Sequence, residues 1–233
     1  MILAGLQKTS LIDYPGKVSC VAFLTGCNFT CPFCHNAELA KGIFPQRISV
    51  NQFLEFLSPR RRLLDGVVIT GGEPTLNPAL DKLCRAIHEL DLKVKLDTNG
   101  SSPGILERLI NHRLVDYVAM DIKTPLDEYP PFLVKEAIGK KLERSIRLIM
   151  DSAPNYEFRT TCVRPFVDEA KIVNIAQTIQ GARRYVLQAF KPTNMLQPDF
   201  FKDHQPEISR LEIDRFKASA APLVRECLIR NAS

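Results

Sequence analysis

The chain has 233 residues, 45% of them hydrophobic, with a formal net charge of +5; it can bury a sizeable core as one domain. So small a charge, with Arg60-Arg61-Arg62 read as a solvated helix end, argues against a nucleic-acid partner. No stretch approaches the roughly 18 consecutive apolar residues of a membrane span and no leader-like start is present, so a cytoplasmic protein without a membrane role is expected.

Residues 1–17 read as an irregular lead-in with a turn at Tyr14-Pro15-Gly16, and Val18 to Leu24 reads as a strand. Ser49 and Gln52 form a capping-box pattern ahead of a helix with Val50, Phe53, Leu54 and Leu57 on one stripe. Gly66 to Thr70 is a buried strand running into Gly71-Gly72-Glu73-Pro74. Asn77-Pro78 opens a helix whose buried stripe takes in Cys84, which is therefore core. Leu92 to Thr98 is a strand closed by Asn99-Gly100, Ser102-Pro103 caps the next helix, and Val115 to Lys123 is a strand. Residues 124–138 form a long connection, a candidate functional loop because such loops are uncommon in compact domains. A helix from about Lys140 to Ser152, a strand Tyr156 to Val163, a helix capped by Asp168 and a strand Tyr185 to Phe190 follow. After a second long loop, 191–205, a helix spans Glu207 to Ala221, and Leu223 to Arg230 is ambiguous between strand and helix.

Strands alternating with helices imply a parallel sheet with right-handed crossovers. On several strands one face is apolar while the other carries charges toward the C-terminal end: Lys95 and Asp97, Asp121 and Lys123, Glu157 and Arg159. Barrel enzymes place their chemistry at that end. The expected fold is α/β, an incomplete (β/α)6 TIM-like barrel, with an open doubly wound parallel sheet as the alternative. Residues 18–190 would form the barrel core and 191–233 a C-terminal extension of a single domain, 1–233.

Cys27, Cys31 and Cys34 stand in the spacing C-x3-C-x2-C directly after the first strand. Three thiolates on one loop suit zinc or an iron-sulfur cluster, and an odd total of seven cysteines fits a reducing compartment better than a disulfide framework. A structural zinc site wants four protein donors, and no second pair of ligands stands elsewhere; a [4Fe-4S] cluster on three cysteines leaves one iron open. A zinc-stapled interaction module is the competing reading of another class.

The cysteine loop, with Phe33 before its last cysteine and His35-Asn36 after it, resembles the signature of radical S-adenosylmethionine enzymes. With Asp13-Tyr14-Pro15-Gly16-Lys17 and the opening from Gly5, it resembles the activating enzymes of glycyl-radical enzymes, and most closely those of anaerobic ribonucleoside-triphosphate reductase. Tyr14 and Lys17 depart from the pattern common in other glycyl-radical activases. The resemblance implies the partial barrel and reductive cleavage of S-adenosylmethionine at a [4Fe-4S] cluster on Cys27, Cys31 and Cys34. The resulting 5'-deoxyadenosyl radical would take a hydrogen from a glycine of the partner. It implies a flavodoxin- or ferredoxin-type electron donor and a glycyl-radical partner; a small-molecule, peptide or nucleotide substrate is the alternative.

For cofactor binding the resemblance points to Phe33, Gly71, Gly72, Glu73, Asp97, Thr98, Asp121 and Lys123. The glycines would let the backbone approach the ligand, and Glu73 would hold its amino group. Asp97 and Asp121, two like charges, would need Lys123 or a monovalent cation between them. Arg159 is a candidate for bidentate contact with the methionine carboxylate, or else for an ion pair with Glu157, and Gln188 for ribose contact.

Overall fold

The computed structural model describes residues 1–43, 46–134, 137–203 and 205–230. Parts of the two long connections and the last three residues of the C-terminal extension therefore lie outside the described residues.

The strands in chain order are β1 (Ile2–Leu3), β2 (Gly5–Ser10), β3 (Ser19–Leu24), β4 (Ile48–Ser49), β5 (Gly66–Gly71), β6 (Lys93–Thr98), β7 (Tyr117–Asp121), β8 (Tyr156–Cys162), β9 (Tyr185–Ala189) and β10 (Cys227–Arg230). Among them run the helices α1 (Ala37–Ala40), α2 (Val50–Leu57), α3 (Leu80–His88), α4 (Pro103–Asn111), α5 (Gly139–Ser152), α6 (Glu169–Thr178) and α7 (Arg210–Ala220). β1 and β4 form a small antiparallel pair, and the other strands form one eight-stranded sheet in the order β10-β9-β8-β7-β6-β5-β3-β2.

From β3 to β10 every neighbouring pair is parallel and the strands lie in sequence order. A doubly wound sheet reverses its order at a switch point; this one does not, which removes the open-sheet alternative and leaves a partial barrel. Alternate residues of β3 and β5 to β9, such as Ala22, Ile69, Leu96, Met120, Phe158 and Leu187, join one continuous core with helices α2 to α7. The opposite face is the concave interior, with a small cluster of Tyr14, Val21, Val68, Tyr117 and Ala119 toward the strand N-termini and charged side chains above it.

Several elements form for the local reasons anticipated. Ser49 and Gln52 make both bonds of the capping box on α2, and the Asp168 carboxylate accepts from the Lys171 N–H at the start of α6. Cys84, Cys162 and Cys227 are buried in the apolar core. Ser102 stands at the N-cap of α4 without a side-chain bond, so the turn there rests on Pro103.

The lead-in is not irregular. Residues 5–10 pair antiparallel with β3, and the turn after them drives Tyr14, 3% exposed, beneath the sheet, edge-on to Tyr117 at 5.8 Å. Pairing with β3 along one side supplies the order that the polar Gln7-Lys8-Thr9 pattern does not advertise. The ambiguous C-terminal segment is strand β10, parallel to β9 and seventh in the parallel series, so the sheet reaches beyond residues 18–190 at both ends.

β10 also completes a buried ion pair. The Arg230 Nη1 and Nη2 each lie 3.1 Å from a carboxylate oxygen of Glu157, which is 0% exposed and also accepts from the Tyr117 hydroxyl. Burial works against the Glu157 charge, but the bond to Arg230 and the fields of Arg159 and Lys95 hold its pKa below the usual range. Arg230→Met leaves that carboxylate without its cation, a loss of about 3 kcal/mol that lowers Tm by roughly 6–12 °C. Because a depressed carboxylate stabilises above its unfolded pKa and loses that contribution as pH falls, the gap between parent and variant melts is expected to narrow below about pH 4.

Candidate functional site

The cysteine loop leaves β3 at the C-terminal end of the barrel. Its thiols are close enough that Cys27 and Cys34 raise the pKa of Cys31, and burial, the larger cause, pushes Cys27 to about 11 and Cys31 to about 12. Cys34 is raised as well, chiefly by burial. Against this, N–H donors point at the sulfurs, Phe29 N to Cys27 Sγ at 3.4 Å, and the Lys123 ammonium lowers the pKa of all three. Donors and a buried cation around three soft ligands suit an anionic, metal-bound sulfur group.

The long connection folds over this loop. Thr30 N donates to the Leu133 carbonyl at 2.9 Å, the half-buried Tyr129 ring stands edge-on to Phe29 at 6.0 Å, and the Tyr129 hydroxyl accepts from the Lys123 N–H. Residues 124–134 thus serve as the outer wall of the cysteine loop.

Gly71 and Gly72 are also required by the protein's own backbone. A Cβ on Gly71, whose φ is +116°, would lie 2.2 Å from the Leu24 carbonyl oxygen, and one on Gly72 would lie 2.1 Å from that of Gly26. Gly72 N donates to Leu24 O, Glu73 N donates to Gly26 O, and Gly71 O accepts from the Asn36 side chain at 3.1 Å. The glycines let this backbone press against the base of the cysteine loop and clamp it.

Glu73 is 1% exposed and turned inward. Its Oε1 accepts from Thr75 N, Thr75 Oγ1 and Thr98 Oγ1 at 3.1, 2.6 and 2.8 Å, and its Oε2 accepts from Asn99 N at 2.6 Å. Burial raises its pKa despite these bonds. Thr98 consequently lies beneath Glu73, on the opposite face of β6 from Asp97, as a period of two requires.

Asp97, Asp121, Lys123 and Arg159 do converge, on the concave face. The Arg159 Nε lies 2.7 Å from Asp121 and its Nη1 3.2 Å from Asp97, while Lys123 bonds Asp121 at 2.9 Å and Lys95 pairs with Asp97. Arg159 is therefore the cation between the two carboxylates, and Glu157 pairs with Arg230 instead. Three side-chain cations face two carboxylates, a local surplus of one positive charge. Burial would raise Asp97 and Asp121, yet Arg159 with Lys95 and Lys123 holds both below the usual range, and Asp121 in turn keeps Lys123 protonated against its burial.

Phe33, 4% exposed, packs edge-on to Phe166 at 4.9 Å, so it fills the core beneath the loop. His35 stacks on Phe190 at 5.4 Å and donates from Nε2 to the Lys191 carbonyl. A cavity of about 590 Å³ opens beside it, lined among others by Phe23, Asn36 and Met195. Gln188 is half-buried on β9, in register with Thr161. Three polar residues escaped the sequence reading: Asn99, seen only with Gly100 as the close of a strand, and Ser101 and Asn28. Their bonds, Asn99 Nδ2 to Asn28 Oδ1 at 3.0 Å and Asn28 Nδ2 to Ser101 Oγ at 2.9 Å, join the β6 exit to the cysteine loop. An amide inside the C-x3-C spacing and another after β6 were the only signal available.

Removing Arg159 tests the charge network. Arg159→Met leaves two adjacent carboxylates, so their pKa values rise and the stability that they lend above their unfolded pKa shrinks. Thermal melts are expected to show a large loss at pH 7 and a smaller one at pH 4, where the variant's raised carboxylates protonate and shed their repulsion while the parent's, held low by Arg159, stay ionised.

A model of the Radical SAM superfamily matches residues 21–179, a span that holds the cysteine loop, the glycine stretch and the charge network. A Methanocaldococcus jannaschii protein provisionally named a glycyl-radical enzyme activating enzyme is 36% identical over 219 residues, 90% of this chain and 88% of its own length. A 7-carboxy-7-deazaguanine synthase from Hyperthermus butylicus is 35% identical over 104 residues, 44% of this chain and 43% of the other. Among solved structures, a radical SAM methyltransferase from Sphaerobacter thermophilus superposes with a TM-score of 0.73 at 18% identity, covering 96% of this chain and 69% of that one. With three clustered thiols at the mouth of a partial barrel, the chain belongs to the radical S-adenosylmethionine superfamily, whose cofactors are a [4Fe-4S] cluster and S-adenosylmethionine.

Proposed function

We propose that this enzyme activates a glycyl-radical enzyme, with an anaerobic ribonucleotide reductase as the partner and a flavodoxin- or ferredoxin-type protein as the electron donor. The observation that carries this reading is the likeness to the M. jannaschii protein along nearly the whole of both chains. The synthase likeness, by contrast, spans less than half of either chain.

The residues present fit the family's cofactors. Cys27, Cys31 and Cys34 would hold three irons and leave the fourth without a protein ligand. When bound, the cluster supplies the electron that cleaves the sulfonium bond, which is chemistry a side chain cannot perform. Lys123, kept protonated by Asp121, offsets negative charge beside the thiols. Lys95, Lys123 and Arg159 together give the barrel mouth its positive surplus, suited to a methionine carboxylate. Asp97 and Asp121 are already matched by side-chain cations, so this reading needs no monovalent cation. Gly71, Gly72 and Glu73 would form a rigid floor for the methionine end, and Gln188 would face the ribose. The partner's glycine loop would enter from the open mouth, where the cavity beside His35 leaves room.

The test is anaerobic. Reconstituted protein is mixed with dithionite, S-adenosylmethionine and the candidate reductase, and 5'-deoxyadenosine is quantified alongside the electron paramagnetic resonance signal of a glycyl radical. Cleavage with that signal supports activation; cleavage without it, across candidate partners, moves the substrate to a small molecule, peptide or nucleotide. Gly72→Ala, whose Cβ collides with the Gly26 carbonyl, is expected to hold several-fold less iron than the parent after the same reconstitution, measured by iron assay.

A further inference from the structure

We propose that Asn99 is a positioning residue for the cluster: its side-chain amide donates to the Cys27 sulfur and makes the bound cluster easier to reduce. The proposal rests on the cluster assignment and not on the identity of the substrate. Asn99 is 7% exposed, and its Nδ2 lies 4.0 Å from Cys27 Sγ and 3.0 Å from Asn28 Oδ1. Its Oδ1 accepts from Ser101 N at 2.9 Å, which fixes which end of the amide is oxygen and turns the NH₂ toward the cysteine loop. Its own backbone N–H is held by Glu73 Oε2 at 2.6 Å. The amide is thereby anchored from both sides, by the end of β6 and by the residue next to the ligand.

Among the described residues, Cys27 is the one of the three ligands whose sulfur meets a side-chain donor; it also accepts from the Phe29 N–H. Adding an electron to an iron-sulfur cluster increases negative charge on its sulfurs, so an N–H donor there stabilises the reduced form more than the oxidised one. This cluster must be reduced before it can act, so a fixed donor at one ligand eases the step that the external electron donor has to drive.

The experiment is a redox titration of the reconstituted protein, poised with dithionite and followed by electron paramagnetic resonance, with apo-protein melts and iron content recorded for each variant. Asn99→Ala removes the donor, and Asn99→Asp keeps the Oδ1 acceptor while replacing the NH₂ with a negatively charged oxygen. The midpoint is expected to become more negative in Asn99→Ala and still more negative in Asn99→Asp. Asn99 variants that hold full iron and titrate at the parent potential would overturn the proposal. So would loss of iron or of folding in both, since Asn99 would then build the site without tuning it.

Discussion

The functional end of the molecule depends on a buried carboxylate. Unpaired, Glu73 would cost several kcal/mol in its water-free position; here it gathers donors from Thr75 on its own loop and from Thr98 and Asn99 at the exit of β6. Those bonds tie two neighbouring strand ends together. The Gly71-Gly72 backbone, held in place by the same carboxylate, presses on Leu24 and Gly26, and Asn99 reaches forward to Asn28. The cysteine loop is thus located by the ends of β3, β5 and β6, with little left to its own short sequence. A loop fixed in this way by three strand ends is ordered by the fold itself, which lowers the ordering cost of whatever it binds.

The interior below the site follows a related logic. A closed barrel fills its centre with layers of aliphatic side chains; this partial one carries ion pairs stacked along the strands. Asp97, Asp121 and Arg159 form the upper layer, Glu157, Tyr117 and Arg230 the lower, and Tyr14 closes the end. No buried side-chain polar atom among the described residues lacks a partner. Such pairs contribute less to stability than an apolar filling would. What they supply is fixed charge of known position under the mouth, where a zwitterionic ligand needs a polar environment that does not have to reorganise.

Much of this was legible in the sequence, because hydrophobic period and local caps are short-range signals. The six strands from β3 to β9 that belong to the main sheet, the capping box at Ser49 and the burial of Cys84 follow from neighbours within a few residues. The convergence of Asp97, Asp121 and Arg159 could be anticipated from strand phase, but the choice of Arg159 as their common cation, over Glu157 as its partner, depends on register between β7 and β8. The strand at residues 5–10 was hidden because its partner, β3, supplies the order from outside the segment. Asn99 was hidden for a different reason: Asn-Gly after a strand signals a turn, and nothing local tells where its amide points. The approach of the glycine backbone to Leu24 and Gly26 was hidden likewise, since a requirement for glycine does not say which backbone comes close.

The sheet never joins β2 to β10, and an unjoined sheet carries unsatisfied backbone groups that could recruit another chain. Each border is blunted by its own means. β2 carries a register shift between Gln7 and Ser10 and an exposed Lys8, so its outer rim is neither straight nor neutral. Among the described residues β10 spans four positions and carries Arg230, a charge drawn inward to Glu157. These are the devices by which β-proteins discourage edge-to-edge polymerisation, and here they allow the barrel to keep a side gap without turning that gap into a template for its own copies.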